Sequence, residues 1–115
     1  MDKSEFINEL KNASPILDND NINNTIKDSL RPLPTNDIGL LNLIIVMEEF
    51  NEVAMEVSKH IRGKDNKIEL LEELADAYLS IKYVQCVCGI SDEELNKAIN
   101  IKSQYQKNRN NKKTW

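Results

Sequence analysis

The sequence predicts an all-α protein, a helical bundle built around two long neighbouring helices. Only three Gly and three Pro occur in 115 residues, whereas Leu, Ile, Glu, Lys and Asn are abundant. Apolar residues recur at spacings of three and four, and no segment shows the alternation of period two that is typical of a strand. A chain of this length forms one domain that buries roughly two-thirds of its unfolded surface.

Residues 1–34 are expected to form an N-terminal extension with two short helices. The first covers residues 4–12 and ends near Pro15. The second covers about residues 21–30, with Ile22 and Ile26 at helical spacing. Residues 31–34 then predict an extended connector, because each of two prolines biases its predecessor away from helix. The residues of the first helix predicted to face inward are Phe6, Ile7 and Leu10.

Residues 35–109 contain the long helices. The first is expected to begin at residues 35–37, which are good N-cap residues, and to end near Gly63. A capping box at residues 66–69 opens the second, which stops at Gly89. Because the link between them is short, these two helices are expected to be antiparallel neighbours.

A third helix opens at the capping box Ser91-Asp92-Glu93-Glu94 and is expected to reach about residue 108. One of its faces carries two cations and a phenol beside apolar residues. Residues 110–115 form a basic tail, which we interpret as a frayed, solvated end. The residues of the mixed face are Leu95, Ala98, Lys102, Tyr105 and Arg109.

Two acidic motifs, EEFNE at 48–52 and EELAD at 72–76, lie within the long helices. Residues three apart project from one helix face, so each motif can offer two carboxylates to a cation. Oxygen-only ligands suit Mg²⁺, Mn²⁺ or Ca²⁺ rather than zinc or iron. Spacing alone leaves open whether Glu48 replaces Glu49, or Glu72 replaces Glu73, because pairs four apart also share a face.

The acidic residues of each motif lie next to a predicted apolar stripe on the same helix. This position favours a metal site over a wholly solvated face. A solvated helix face remains the simpler alternative for any such motif, since charged side chains usually face water. The apolar stripe of the first long helix is Val46, Phe50, Val53, Val57 and Ile61. That of the second is Leu70, Leu74, Ala77, Ile81, Val84 and Cys88.

Composition excludes several classes of function. The net charge of −4 argues against general binding to nucleic acid, which depends on clustered Lys and Arg. Cys86 and Cys88 are interpreted as reduced, buried thiols without a metal or redox role. The charged first residues do not resemble a signal peptide, and no apolar run reaches the roughly 20 residues that span a bilayer. A cytoplasmic location is expected.

The chain resembles the MazG-like members of the all-α nucleoside triphosphate pyrophosphohydrolases over residues 40–109. Two segments show the resemblance, EEFNEVAMEVSKHIRG and, after a short linker, IELLEELADAYLSIKYVQCVCGI. The shared signature is EExxE followed by EExxD on the next helix. The resemblance implies Mg²⁺-dependent hydrolysis of a nucleoside triphosphate, with or without the deoxy sugar, to the monophosphate and pyrophosphate. It also implies a homodimer or homotetramer whose active sites are completed between subunits.

The site residues implied by the resemblance can be placed on this chain. Glu49, Glu52, Glu73 and Asp76 would hold Mg²⁺, with Mn²⁺ as the alternative, and Glu49 and Glu52 would also be catalytic. Substrate binding would fall to Lys59, Lys102, Arg109 and Tyr83. The family usually has a lysine followed three residues later by an arginine on the last helix. This chain has Tyr105 three residues after Lys102.

Rival interpretations are testable. A ferritin-like di-iron bundle requires Glu-x-x-His pairs, and the single histidine, His60, follows neither acidic motif at that spacing. A non-catalytic helical interaction module predicts no Mg²⁺ dependence. A module that binds nucleotides without cleaving them lies between these two. Contact of the basic tail and Trp115 with nucleic acid is the remaining alternative, and base specificity is not fixed by the sequence.

Overall fold

The computed structural model describes residues 1–29 and 38–112, and these residues form five α-helices and no strand. The all-α prediction is confirmed. Within the described residues, no helix has the length and apolar character required to cross a membrane. The helices are α1 (Lys3–Asn12), α2 (Asn19–Ser29), α3 (Ile38–Ile61), α4 (Lys67–Cys88) and α5 (Asp92–Lys112).

Helices α3 and α4 pack against each other as an antiparallel hairpin and form the centre of the fold. Gly63, with a φ of +86°, lies just beyond the end of α3, and Gly89, with a φ of +69°, caps α4. Both are left-handed conformations that glycine adopts without steric cost. The predicted helix ends at these glycines are therefore confirmed, as is the neighbouring arrangement of the two helices.

The start of α4 differs from the predicted capping box. The side chain of Asn66 makes no capping hydrogen bond, and Glu69 pairs with Lys3. Asn66 is buried and donates instead to Glu56 of α3, to the backbone oxygen at 2.8 Å and to Oε2 at 2.7 Å. A long-range partner has therefore taken the place of the local one, and Asn66 ties the two helices together.

The N-terminal helices pack beside α4. Ile26 of α2 is buried, and α2 contacts α4. The Lys3 ammonium of α1 pairs with the Glu69 carboxylate of α4. Leu10 was expected to face inward but is exposed, because α1 is held at its first turn and ends at Asn12.

The apolar stripes are only partly covered, which corrects the prediction that they form the core. In α3, Val46 is buried, but Phe50, Val57 and Ile61 are exposed. The physical reason is that α3 and α4 cover only one side of each other, so a second apolar flank stays open on both helices. The exposed residues of the α4 stripe are Leu74, Ile81 and Cys88. Cys86 is also exposed, so both thiols are free and neither is buried as expected.

Helix α5 begins as predicted and runs further than predicted. The Ser91 hydroxyl accepts from the Glu94 amide at 3.0 Å, and Glu94 Oε1 accepts in return from the Ser91 amide, which confirms the capping box. Asp92 Oδ1 accepts from both Lys82 and Gln85 of α4, which fixes the joint between the helices. Beyond the half-buried Leu95, every described residue of α5 is exposed.

Three predictions fall on residues outside the described ranges. These are the extended connector at 31–34, the helix start at 35–37 and the end of the basic tail at 113–115.

Candidate metal centre

Three carboxylates converge at the middle of the α3/α4 hairpin. Glu49 and Glu52 of α3 and Glu73 of α4 each offer one oxygen, and these oxygens lie within 4.8 Å of one another. Glu49 and Glu73 are half-buried, whereas Glu52 is exposed. Two residues of the first acidic motif, Glu49 and Glu52, thus lie close to Glu73 of the second. Among the described residues the cluster contains Glu49 and Glu73, and neither Glu48 nor Glu72.

Asp76 lies beside this cluster rather than inside it. Burial is the main cause that raises the pKa of Glu49 and of Glu73, and the charge of Asp76 adds to it in both cases. Asp76 also lines a cavity together with Glu49. Burial of its carboxyl group, followed by the charge of Glu52, raises the pKa of Asp76 itself. The fourth predicted ligand is therefore an electrostatic neighbour of the other three.

The electrostatics of the cluster disfavour its full ionisation. Burial raises the pKa of Glu73 to about 7, helped by a hydrogen bond with Glu52 and by the charges of Glu52, Asp76 and Glu49. Burial also raises the pKa of Glu49, followed by the charges of Glu52, Asp76 and Glu48. Both effects are expected where like charges share a partly desolvated site. A cation at this position would offset both.

Two carboxylate oxygens in the cluster are buried without a hydrogen-bond partner. They are Glu49 Oε2 and Glu73 Oε2, one from each helix. A buried acceptor without a partner costs about 1–3 kcal/mol, and more when it is charged. Their chemistry, two or more carboxylates from facing helices, matches the oxygen ligands that Mg²⁺ prefers.

Lys59 lies in the last turn of α3 and forms an ion pair. Its ammonium group donates to Glu56 Oε1 at 2.9 Å, three residues earlier on α3. Hydrogen bonds from Asn66 and then Lys59 lower the pKa of Glu56. The ion pair between Glu56 and Lys59 could have been predicted from the sequence, because oppositely charged residues three apart on a helix pair readily.

The other predicted substrate-binding residues lie in two places. Tyr83 lines the cavity that Glu49 and Asp76 also line. Lys102 and Arg109 lie on α5, in a groove whose described lining residues all belong to α5, and Arg109 hydrogen-bonds Gln106. Within one chain, the structure therefore brings Tyr83 to the carboxylates and leaves the two α5 cations apart from them.

Sequence reasoning missed two features near the cluster. The first is Asn66, whose bonds to Glu56 fix how α3 and α4 align. Asparagine before a helix is usually a cap, so nothing local distinguished this role. The second is the pair Ile45 and Leu79, which line the cavity beside Glu49. Their apolar character marks them only as possible packing residues.

Comparisons with protein-family models, with curated proteins and with solved structures give no match to this chain. A functional assignment therefore has to come from the residues of the chain and the geometry of the hairpin.

Proposed function

We propose that this protein hydrolyses a nucleoside triphosphate, with or without the deoxy sugar, to the nucleoside monophosphate and pyrophosphate, in a Mg²⁺-dependent reaction. The observation that supports this most directly is the convergence of Glu49, Glu52 and Glu73 from two helices. The ordered motifs EExxE and EExxD, which resemble those of MazG-like pyrophosphohydrolases, give the reaction class.

The carboxylate cluster fits a hard divalent cation. All its donors are oxygens, two of them are buried without partners, and the pKa of Glu73 is raised to about 7. Glu49, Glu52 and Glu73 would hold Mg²⁺ or Mn²⁺, with Asp76 beside them. Bound Mg²⁺ would offset phosphate charge and lower the pKa of a coordinated water.

The roles of the protein side chains follow from their exposure. Glu49 and Glu73 are half-buried and form the fixed part of the cluster, whereas Glu52 is exposed and open to an incoming water. We assign Glu52, with Glu49 as the alternative, as acceptor of the proton that the attacking water loses. The water oxygen forms a new bond to phosphorus as the α–β anhydride breaks, and pyrophosphate leaves.

Neutralisation of the triphosphate requires cations beside the carboxylates. Lys59 is paired with Glu56, which offsets part of its charge, although its ammonium group has two further hydrogen-bond donors. Among the described residues, Lys102 and Arg109 of the same chain line a groove on α5 that contains none of the clustered carboxylates. We therefore propose that a second copy supplies these two residues, as expected for a family whose active sites are completed between subunits.

The test is a screen for pyrophosphate release from standard, deoxy and damaged nucleoside triphosphates with Mg²⁺ and with Mn²⁺. Glu52→Gln and Asp76→Asn should each reduce the rate by at least about 100-fold, since even residues that only orient metal ligands are worth 10–100-fold. Glu9→Gln, an exposed change on α1, serves as the matched control and should keep the full rate.

Two outcomes would overturn the proposal. One is full pyrophosphate release by both Glu52→Gln and Asp76→Asn. The other is no release from any triphosphate by folded wild-type protein, which would favour a non-catalytic interaction or nucleotide-binding module.

A further inference from the structure

A cavity of about 210 Å³ lies where α2, α4 and the start of α5 meet. Asn23 and Lys27 line it from α2, and Lys82 and Gln85 line it from α4. Among the described residues, its lining contains none of the carboxylates of the candidate metal centre. The proposed hydrolysis does not use this cavity, so a ligand bound here would belong to a separate site.

Gln85 places a buried hydrogen-bond acceptor at this cavity. The residue is only 6% exposed, and among the described residues its Oε1 atom has no hydrogen-bond partner. Its Nε2 atom donates to Asp92 Oδ1 at 2.8 Å. Because an ionised carboxylate only accepts, this bond fixes which end of the amide is the oxygen. A buried acceptor without a partner is costly, which favours a ligand that carries a donor.

Two ammonium groups at the same cavity favour an anion. Lys82 pairs with Asp92 Oδ1 at 2.9 Å, which leaves two of its three donors. Lys27 is exposed and, within the described part of the chain, has no ion pair or hydrogen bond. The Asn23 amide can supply a further donor. Asp92 is the only carboxylate among the described lining residues, so the cations outnumber it.

We propose that this cavity binds inorganic phosphate. At neutral pH this ion offers negative oxygens to Lys27 and Lys82, and it keeps a P–OH group that can donate to Gln85 Oε1. Sulfate has a similar size and shape but is fully ionised and cannot donate. Methyl phosphate loses its last proton above a pKa of about 6. The cavity should therefore favour inorganic phosphate over both, whether or not the protein hydrolyses triphosphates.

The first experiment compares the three anions. Wild-type protein is titrated at pH 8 and fixed ionic strength, without Mg²⁺, so that no metal at the carboxylate cluster can recruit phosphate. The side-chain amide NMR signals of Asn23 and Gln85 should shift with millimolar phosphate. Phosphate should bind at least about fivefold more tightly than sulfate or methyl phosphate, because both of these leave the buried acceptor without a partner.

The second experiment changes the groups that hold the anion. Lys27→Gln should weaken phosphate binding about tenfold, the effect of one lost hydrogen bond between charged groups. Lys11→Gln, at an exposed position of α1, is the matched control and should bind normally. Gln85→Met removes the acceptor at similar size and should bind phosphate and sulfate equally. Lys27 is exposed, so its variant tests the site even if Gln85→Met is unstable.

Cys86 reports on occupancy of the cavity directly. Its thiol is free and exposed, and the residue belongs to the lining. In a Cys88→Ser variant it is the single thiol of the chain. Phosphate should slow its reaction with N-ethylmaleimide, a neutral reagent, whereas sulfate at the same ionic strength should have little effect.

Four outcomes would overturn the proposal. They are equal binding of phosphate and sulfate by wild-type protein, unchanged phosphate binding by Lys27→Gln, no shift of Gln85 at millimolar phosphate, and an unchanged reaction rate of Cys86. Because these measurements contain neither Mg²⁺ nor nucleotide, their result is independent of the pyrophosphate-release screen.

Discussion

Glu73 is the side chain whose ionisation dominates the metal-free site. Burial and its contacts with Glu52 raise its pKa to about 7, from an ordinary value of 4.5. Folding therefore favours the protonated form of Glu73. This contribution to stability is complete below about pH 4.5 and is lost as the pH rises through 7. The raised pKa values of Glu49 and Asp76 act in the same direction.

The thermal stability of the metal-free protein should consequently fall between pH 5 and pH 8. Glu56 and Asp92 have lowered pKa values, so both are already ionised at pH 5. Their stabilising effect therefore stays constant between pH 5 and pH 8 and does not oppose the trend. Mg²⁺ should raise the melting temperature more at pH 8 than at pH 5, because it binds the ionised carboxylates. Differential scanning fluorimetry at fixed ionic strength measures both effects.

Glu73→Gln isolates this contribution. The amide cannot ionise, so the variant should melt at a higher temperature than wild type at pH 8, with a flatter pH profile and a weaker Mg²⁺ response. Glu9→Gln on the exposed surface of α1 should reproduce the wild-type curve. If Glu73→Gln and wild type showed the same pH profile, the carboxylate repulsion inferred here would be absent.

At the scale of secondary structure, the hydrogen bonds between Asn66 and Glu56 join α3 and α4 in the alignment in which the clustered carboxylates lie close together. Asn66→Ala removes two hydrogen bonds from a buried position and should reduce the free energy of unfolding by about 2 kcal/mol. Asn51→Ala, at an exposed position of α3, should change it by less than about 0.5 kcal/mol. Urea denaturation followed by circular dichroism compares them, and equal midpoints would contradict the role of Asn66.

Helix ends could be predicted from the sequence where the signal was local. Gly63, Gly89 and the Ser91 capping box depend on backbone conformation and on residues a few positions apart. Asn66 was misassigned because its partner, Glu56, lies ten residues away, beyond the reach of a local capping rule. Among the site residues, the convergence of the acids followed from the antiparallel hairpin. The positions of Lys102 and Arg109 did not, because α5 follows a joint whose direction the sequence does not specify.

Helical periodicity showed which apolar residues share a helix face. It could not show which part of that face packs against another helix of the same chain. Phe50 and Leu74 illustrate this, since each lies on a predicted core stripe and is exposed. Only contacts between helices decide the matter. In α3 and α4, Val46 and Ala77 face the partner helix and are buried, while the next positions round the helix are open.

Considered as a whole, the molecule has a hairpin with two unlike faces. Large apolar side chains lie exposed at spacings of three or four on both helices, and in an antiparallel pair these stripes face the same side. Glu52 and Asp76 lie on the opposite flank. Monomeric proteins rarely expose contiguous apolar patches larger than a few hundred Å². The exposed residues are Met47, Phe50, Val57, Ile61, Leu71, Leu74, Tyr78 and Ile81.

We propose a second copy of the chain as the partner for this face, because two such hairpins packed together would bury both apolar stripes and leave both acidic flanks open. We therefore expect wild-type protein to elute with a light-scattering mass of two or four times 13.2 kDa. Phe50→Glu should lower that mass, since an unpaired carboxylate would be buried at the interface. Ile16→Glu, which adds the same charge at an exposed apolar position outside the hairpin, should leave it unchanged. Loss of the dimer should also abolish pyrophosphate release if Lys102 and Arg109 act across subunits. A wild-type protein that is monomeric at high concentration, yet active, would show that neither a second copy nor its α5 cations are needed.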